Sequence, residues 1–232
     1  MSYSICLICL DDQDCIQNTF DNIRDYIQDE LIIVDGGSTD NTLKIVKQFV
    51  SENPYFNIEL YENKWNDNFE EQKNFALDQA TNEWRIWIDA DESYESIFWN
   101  QLPWYIWLAE KNGEDCISVP RINTIEGLTQ QELAEYAQRN GWQLTGFNWI
   151  NYPDTQQRIF KSNCRFIGRT HERITGYKKA GLLTGVHCIH PKTKARQERG
   201  FERENKQYEI EAEKVYKRVM KNEKIHIDFN LI

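Results

Sequence analysis

The stretch WRIWIDADESY, residues 84–94, decides how the rest of the chain is read. An apolar, aromatic-rich run ends in three acids, Asp89, Asp91 and Glu92, with only Ala90 between the first two. The apolar half reads as a strand buried on both faces, as strands of parallel sheets are. Carboxylates this close repel one another and persist only where a cation, a proton or open solvent compensates them. A core strand that delivers such charge at its tip points to a ligand site.

The segments around this strand give its setting. Short apolar runs at 3–10, 30–35, 56–62 and 83–90 alternate with helical patterns at about 14–28, 39–52 and 67–81. The first of these helices carries Ile16, Phe20, Ile23 and Ile27 at helical spacing. Strands separated by helices of this length are βαβ units, which predicts an α/β fold with a parallel sheet and right-handed crossovers. Ligands of such sheets bind beyond the carboxyl ends of the strands, where Asp11, Asp35 and Asp89 fall.

Past residue 93 the pattern predicts a helix at 94–111, a strand at 115–122 and a helix at 128–141. Thr129 and Glu132 form a capping box for the second helix. Short strands follow in QRIFKS, RFIGRTHERIT and LLTGVHCIH, and a charged helix runs from about 194 to 222. The organisation expected is one domain, residues 1–200, with a helical extension, 201–232, packed on it.

Composition narrows the function. A net charge of −10 argues against general nucleic-acid binding, which uses a basic face. An acidic protein that handles an anionic substrate needs a metal ion or local Arg and Lys. The six cysteines are scattered and no secretory signal precedes them, so reduced thiols in a cytoplasmic setting are expected. Cys6 and Cys9 form a C-x-x-C, but positions three apart on a strand point to opposite faces, which disfavours metal or redox chemistry. No apolar run reaches the ~20 residues of a membrane span. IFWNQLPWYIWLAE is broken by Asn100, Gln101 and Pro103, so membrane contact, if made, is peripheral.

Two motifs carry chemistry. In VDGGSTDNT (34–42), Gly36 and Gly37 permit a tight turn close to a ligand, and Ser38, Thr39 or Asp40 can cap the following helix. No G-x-G-x-x-G or G-x-x-x-x-G-K-[ST] is present. In Asp89-Ala90-Asp91, carboxylates two apart at a strand end diverge, one toward a ribose and one toward a hard cation such as manganese or magnesium. Such ions keep positions open for substrate phosphates.

Together with EEQKNFALDQATNEWRIWIDADE (70–92) and QQRIFKSNCRFIGRTHERI (156–174), these motifs resemble family 2 of the glycosyltransferases, over roughly residues 3 to 200. The branch most similar is that of lipopolysaccharide-core β-glucosyltransferases. The resemblance implies a GT-A fold, Rossmann-like, with a mixed but mainly parallel sheet. It also implies an inverting transferase that uses a nucleotide-sugar donor, UDP-linked, a saccharide or glycoconjugate acceptor, and Mn2+ or Mg2+. By the same resemblance Asp35 accepts from the uracil N3–H, Lys73 and Arg158 lie by the nucleotide or its phosphates, Asp89 bonds the ribose or sugar, and Asp91 ligates the metal. His171 and Glu172 match the family's H-E pair, and His171 is expected beside Asp91 and His190 as a metal ligand. Glu172 is the first candidate for the base that deprotonates the acceptor hydroxyl and Asp154 the second. His190, with Lys192 and Lys194, resembles a late His and basic cluster that closes over the diphosphate or completes the metal shell. Trp142, Phe147, Trp149 and Tyr152 are candidates for stacking on an acceptor sugar.

Two departures stand out. LDDQD (10–14) replaces the family's K-N-E, placing Asp11 and Asp12 near the nucleotide, and NTIEGLTQQELAEYAQRNGW (123–142) reads as an added segment before the acceptor region. Two other function classes compete. A nucleotidyltransferase would carry a Gly-rich basic loop after the first strand, which LDDQDC lacks. A non-catalytic carbohydrate-binding relic is disfavoured by intact Asp89, Asp91, His171 and Glu172.

Overall fold

Each apolar run of the first half forms a strand and each amphipathic segment between them a helix. In the computed structural model, residues 2–169 and 172–220 are described, the side chains of 204, 207 and 210–220 excepted. The strands β1 (Tyr3–Cys9), β2 (Glu30–Asp35), β3 (Ile58–Glu62) and β4 (Trp84–Trp87) are connected by α1 (Ile16–Ile23), α2 (Thr42–Glu52) and α3 (Phe69–Gln79). They pair in parallel in the order β3-β2-β1-β4. The chain steps outward from β1 to β3 and then returns to set β4 on the other side of β1. The topological switch point, where α/β sheets take ligands, therefore lies between the carboxyl ends of β1 and β4.

The second half extends the same sheet. It comprises β5 (Ser93–Tyr94), α4 (Ser96–Asn112), β6 (Cys116–Glu126), α5 (Gln130–Arg139), β7 (Ile150–Lys161), β8 (Arg165–Ile167), β9 (Arg173–Thr175), β10 (Ala180–Leu182), β11 (Cys188–Thr193) and α6 (Lys194–Met220). The full order is β3-β2-β1-β4-β7-β6-β11-β5, with β10 beside β6. β7 runs antiparallel to both β4 and β6, so the sheet is mixed but mainly parallel. A separate ribbon, β8–β9, packs over α3.

Alternation along the strands divides the core. Trp84, Ile86 and Ile88 face the helices α1, α2 and α4, while Trp87 faces α3 and the β8–β9 ribbon. Cys6 and Cys9 lie in these two different cores as free thiols, as the strand reading expects. Pro103 is accommodated inside α4, and among the described residues no helix is long and apolar enough to cross a membrane.

The expected domain boundary at residue 200 falls inside one continuous helix. α6 begins at Lys194, and Arg196, Arg199, Gly200 and Arg203 line the main cavity. Its first turns thus belong to the site; residues 221–232 lie outside the described chain.

The capping box forms on α5: the Thr129 hydroxyl accepts from the Glu132 amide (3.3 Å) and Glu132 accepts from the Thr129 amide (2.8 Å). Thr129→Ala is expected to cost about 1 kcal/mol, read by urea denaturation, with Thr129→Ser restoring most of it.

Candidate active site

The acidic tip of β4 is neutralised by side chains of this chain. Asp89 Oδ2 accepts from Arg158 Nη2 (2.8 Å), and its Oδ1 from Trp87 Nε1 (2.8 Å), with Lys73 Nζ at 3.4 Å. Glu92, which the sequence left without a role, is wholly buried and accepts from Arg158 and from Arg121 Nη1 (3.1 Å). Its second oxygen receives the Asp89 amide at 3.1 Å, which holds the turn of the tip. Arg121 continues to Asp154 (2.6 Å). The result is an alternating row, Asp89–Arg158–Glu92–Arg121–Asp154, in which each buried charge meets an opposite one. Burial opposes ionisation of Asp89, but Lys73 and Arg158 outweigh it and hold the carboxyl well below the usual range.

Lys73 comes from the buried face of α3, whose first turn is capped by Asn68. Its ammonium lies 5.0, 5.2 and 5.9 Å from the ring centres of Phe166, Trp87 and Phe69, and 3.4 Å from Glu172 Oε1. The rings fix the ammonium in place, so one cation bridges Asp89 and Glu172.

Asp91 meets a different set. Its Oδ2 receives Arg196 Nε at 3.0 Å and His190 Nε2 at 3.2 Å, with Lys192 Nζ at 4.0 Å. Burial pushes this carboxyl up, and His190, Lys192 and Arg196 together bring it well below the ordinary range. Asn123 sets the ring of His190. The amide Nδ2 of Asn123 donates to Asp154 (2.9 Å), so its Oδ1 accepts from His190 Nδ1 at 2.7 Å. Nδ1 is thus a donor to Asn123, and Nε2 is aimed at Asp91.

These groups open into a cavity of about 410 Å³ at the switch point. Lys73, Arg121, Arg158, His190, Lys192, Arg196, Arg199 and Arg203 line it against Asp89, Asp91 and Glu172. A protein of net charge −10 thus presents a cationic hollow where a parallel sheet takes ligands.

The family Glycosyl transferase family 2 matches residues 4–188 of the chain. The chain belongs to that family.

Among similar proteins, the SPbeta prophage-derived glycosyltransferase SunS of Bacillus subtilis is 25% identical over 173 residues, 74% of this chain and 34% of that protein. The lipopolysaccharide core biosynthesis glycosyltransferase LpsC of Rhizobium meliloti is 30% identical over 97 residues, 42% of this chain and 34% of that protein. The chain therefore spans about a third of the length of these curated relatives. In three dimensions it is similar to TarS of S. aureus solved with UDP-GlcNAc (TM-score 0.57, 16% identity, 83% of this chain and 59% of that one). It is also similar to the mannosyltransferase PcManGT of Pyrobaculum calidifontis with GDP-Man and Mn2+ (TM-score 0.54, 18% identity, 81% of this chain and 56% of that one). The fold is the GT-A fold.

Set against the roles the family resemblance implies, Asp89, Asp91, Lys73, Arg158, Glu172 and His190 converge on the cavity. Two expected residues do not. Asp35 is fully buried and turns inward: Oδ2 accepts from the amides of Gly37 (2.8 Å) and Ser38 (2.9 Å), and Oδ1 from the Ser38 hydroxyl. It shapes the glycine turn, whose Gly37 has φ +88°, and has no surface with which to meet a base. Asp154 is held by Arg121, Asn123 and Gln156 (2.6 Å), is absent from the cavity lining, and connects to His190 through Asn123. His171 lies outside the described residues.

Of the candidate acceptor aromatics, Trp142 packs on Tyr136 and Phe201. Phe147, Trp149 and Tyr152 form a separate partly open face with His187, in which the Tyr152 hydroxyl meets His187 Nε2 at 3.1 Å. Lys194 points away, toward Glu198 (3.9 Å) and Tyr136. The residue that sequence reasoning passed over in its place is Arg196. The signal was present in the helical spacing of Arg196, Arg199 and Arg203, three and four residues apart on one face.

Two measurements test this electrostatic frame. Glu92→Gln removes the anion shared by buried Arg158 and Arg121 and is expected to destabilise the fold by about 3–5 kcal/mol in urea denaturation. The folded pKa of Asp91 is depressed below its unfolded value of about 3.9. The stability it contributes is therefore complete above that pH and disappears as pH falls through the folded value. The stability difference between the protein and its Asp91→Asn variant should shrink as pH falls below about 4.

Proposed function

We propose that this chain is the donor-binding and catalytic portion of an inverting glycosyltransferase that moves a sugar from a UDP-linked donor to a hydroxyl of a saccharide acceptor. The observation that carries this reading is the cationic cavity at the switch point, which sets Glu172 together with the Asp89–Asp91 pair. A nucleoside diphosphate is the ligand whose charge complements such a hollow. The resemblance to LpsC and to poly-β-1,6-N-acetyl-D-glucosamine synthase of Staphylococcus aureus (30% identity over 87 residues, 37% of this chain and 20% of that protein) supports a role in glycan assembly.

In the proposed reaction the acceptor oxygen attacks the anomeric carbon from the face opposite the leaving group. The carbon–oxygen bond to the diphosphate breaks, and the acceptor proton passes to Glu172. Lys73 steadies the Glu172 carboxylate, with its ammonium 3.4 Å away. Arg196, Arg199 and Arg203 receive the negative charge that develops on the departing diphosphate. The open aromatic face of Phe147, Trp149 and Tyr152 offers a ring to stack on an acceptor sugar.

The residues present also fit a divalent ion that brings its own phosphate ligands. Asp91 and His190 lie 3.2 Å apart on the cavity wall, an oxygen donor beside an imidazole nitrogen. Among the described residues no group of three or more His, Cys, Asp and Glu gathers to hold such an ion by protein alone. Asp91 and His190 would hold it, and when bound it would withdraw charge from the diphosphate.

A thermal-shift screen of UDP-, GDP- and other nucleotide sugars with and without Mn2+ tests the reading, since a ligand of the native state raises Tm by mass action. A shift with at least one donor supports the proposal, and none with any donor in the presence of metal overturns it. Glu172→Gln should lower transfer by about 10²–10⁴-fold while leaving the donor-induced shift in place.

A further inference from the structure

Arg196 stands where a divalent ion and a diphosphate would compete. Its guanidinium makes three contacts with carboxylates: Nε to Asp91 Oδ2 (3.0 Å), Nη2 to Asp12 Oδ1 (2.6 Å) and Nη1 to Asp14 Oδ1 (3.0 Å). Its side chain is 14% exposed and lines the cavity. The Asp91 oxygen it occupies is the one approached by His190 and Lys192. A cation arriving alone at Asp91 meets like charge on several sides, and a doubly charged ion meets twice the repulsion that a monovalent one does. A diphosphate reverses this balance, because a guanidinium fork matches phosphate oxygens as well as it matches a carboxylate.

Asp12 and Asp14 lie in LDDQD, the segment that departs from the family pattern, and they are matched by Arg196 and by Arg199 (2.7 Å to Asp14). The acids that look misplaced beside a nucleotide are thus the seat of these arginines. In addition, while Phe201 packs on Trp142, Arg203 donates to the Leu10 carbonyl (3.0 Å) and Lys206 to Asp67 (3.1 Å), so that α6 meets the loops beside the cavity through polar contacts. Contacts of this kind exchange partners without opening a packed core.

We propose that Arg196 is an internal counter-ion of Asp91 that the donor's diphosphate draws away, so that divalent-metal binding depends on nucleotide binding. The proposal rests on the donor-site reading of the cavity. It makes Arg196 a binding residue for the diphosphate and a barrier to metal in the absence of nucleotide. The two ligands are then coupled, each tightening the other by the same factor.

The test is isothermal titration of Mn2+ and of UDP, each alone and in the presence of the other, with GDP as a second probe. Electron paramagnetic resonance of free Mn2+ serves as an independent readout. The unsubstituted protein should bind Mn2+ more tightly in the presence of the nucleotide, by a factor in the range of about 5–150. Arg196→Gln should shift the two affinities in opposite directions: Mn2+ alone binds about 5-fold tighter or better, UDP in chelator binds more weakly, and the coupling factor falls. A structural role for Arg196 would weaken both. Loss of both affinities, or change in neither, overturns the proposal. Arg196→Lys keeps the charge but not the fork and guards against misfolding of the first variant. It should weaken UDP binding while still excluding Mn2+, and affinities equal to those of the unsubstituted protein would overturn the proposal. Failure of the unsubstituted protein to bind either nucleotide would overturn the donor reading as well. Nucleotide binding with Mn2+ affinity indifferent to Arg196 would overturn this inference alone.

Discussion

Three carboxylates at the end of a buried strand impose the constraint on which the site depends. Asp89, Asp91 and Glu92 follow β4 within five residues, in the middle of a nine-stranded sheet, where solvent screening is weak. The chain answers by bringing cations to them from α3, β6, β7, β11 and α6. Each cation arrives from a distant part of the sequence, so the site and the tertiary fold are assembled together. A buried charge with one partner removed is costly, and the row Asp89–Arg158–Glu92–Arg121–Asp154 leaves none of its members alone.

This arrangement gives the D-x-D pair two environments. Asp89 is locked between Arg158, Lys73 and the Trp87 indole, a rigid fixture that also steadies Glu172 through the shared ammonium. Asp91 meets His190, Lys192 and Arg196, groups whose partners can change when a polyanion enters. The division follows from position: Asp89 adjoins β7 and α3, which are packed on both sides, whereas Asp91 faces the cavity side of α6, whose contacts there are polar.

Most of the fold was legible in the chain because local signals agree with the global arrangement. Ile16, Phe20 and Ile23 at helical spacing do face the core, Thr129 and Glu132 do cap α5, and Cys6 and Cys9 do point to opposite faces. Hydrophobic period and capping chemistry act over a few residues, so a sequence carries them directly. Asp89, Asp91, Lys73, Arg158, Glu172 and His190, read from the sequence as one group, do line a single cavity. Asp35 and Asp154 were read as ligand-facing because they sit at strand ends and beside motifs. Position in sequence does not reveal which way a carboxylate turns, and both are claimed by neighbours, the Gly37–Ser38 amides in one case and Arg121 with Asn123 in the other.

The sequence by itself determined the βαβ order, the switch point and the placing of acids at the end of β4, since these follow from strand and helix periodicity and from topology rules. Only the tertiary structure decided how those acids are neutralised. Arg121, Arg158, His190 and Arg196 lie from 29 to 105 residues away from the carboxylates they meet. Charge pairing at that separation depends on which strands and helices become neighbours. A list of acidic residues shows that compensation is needed, and the folded chain alone shows that its own cations supply it.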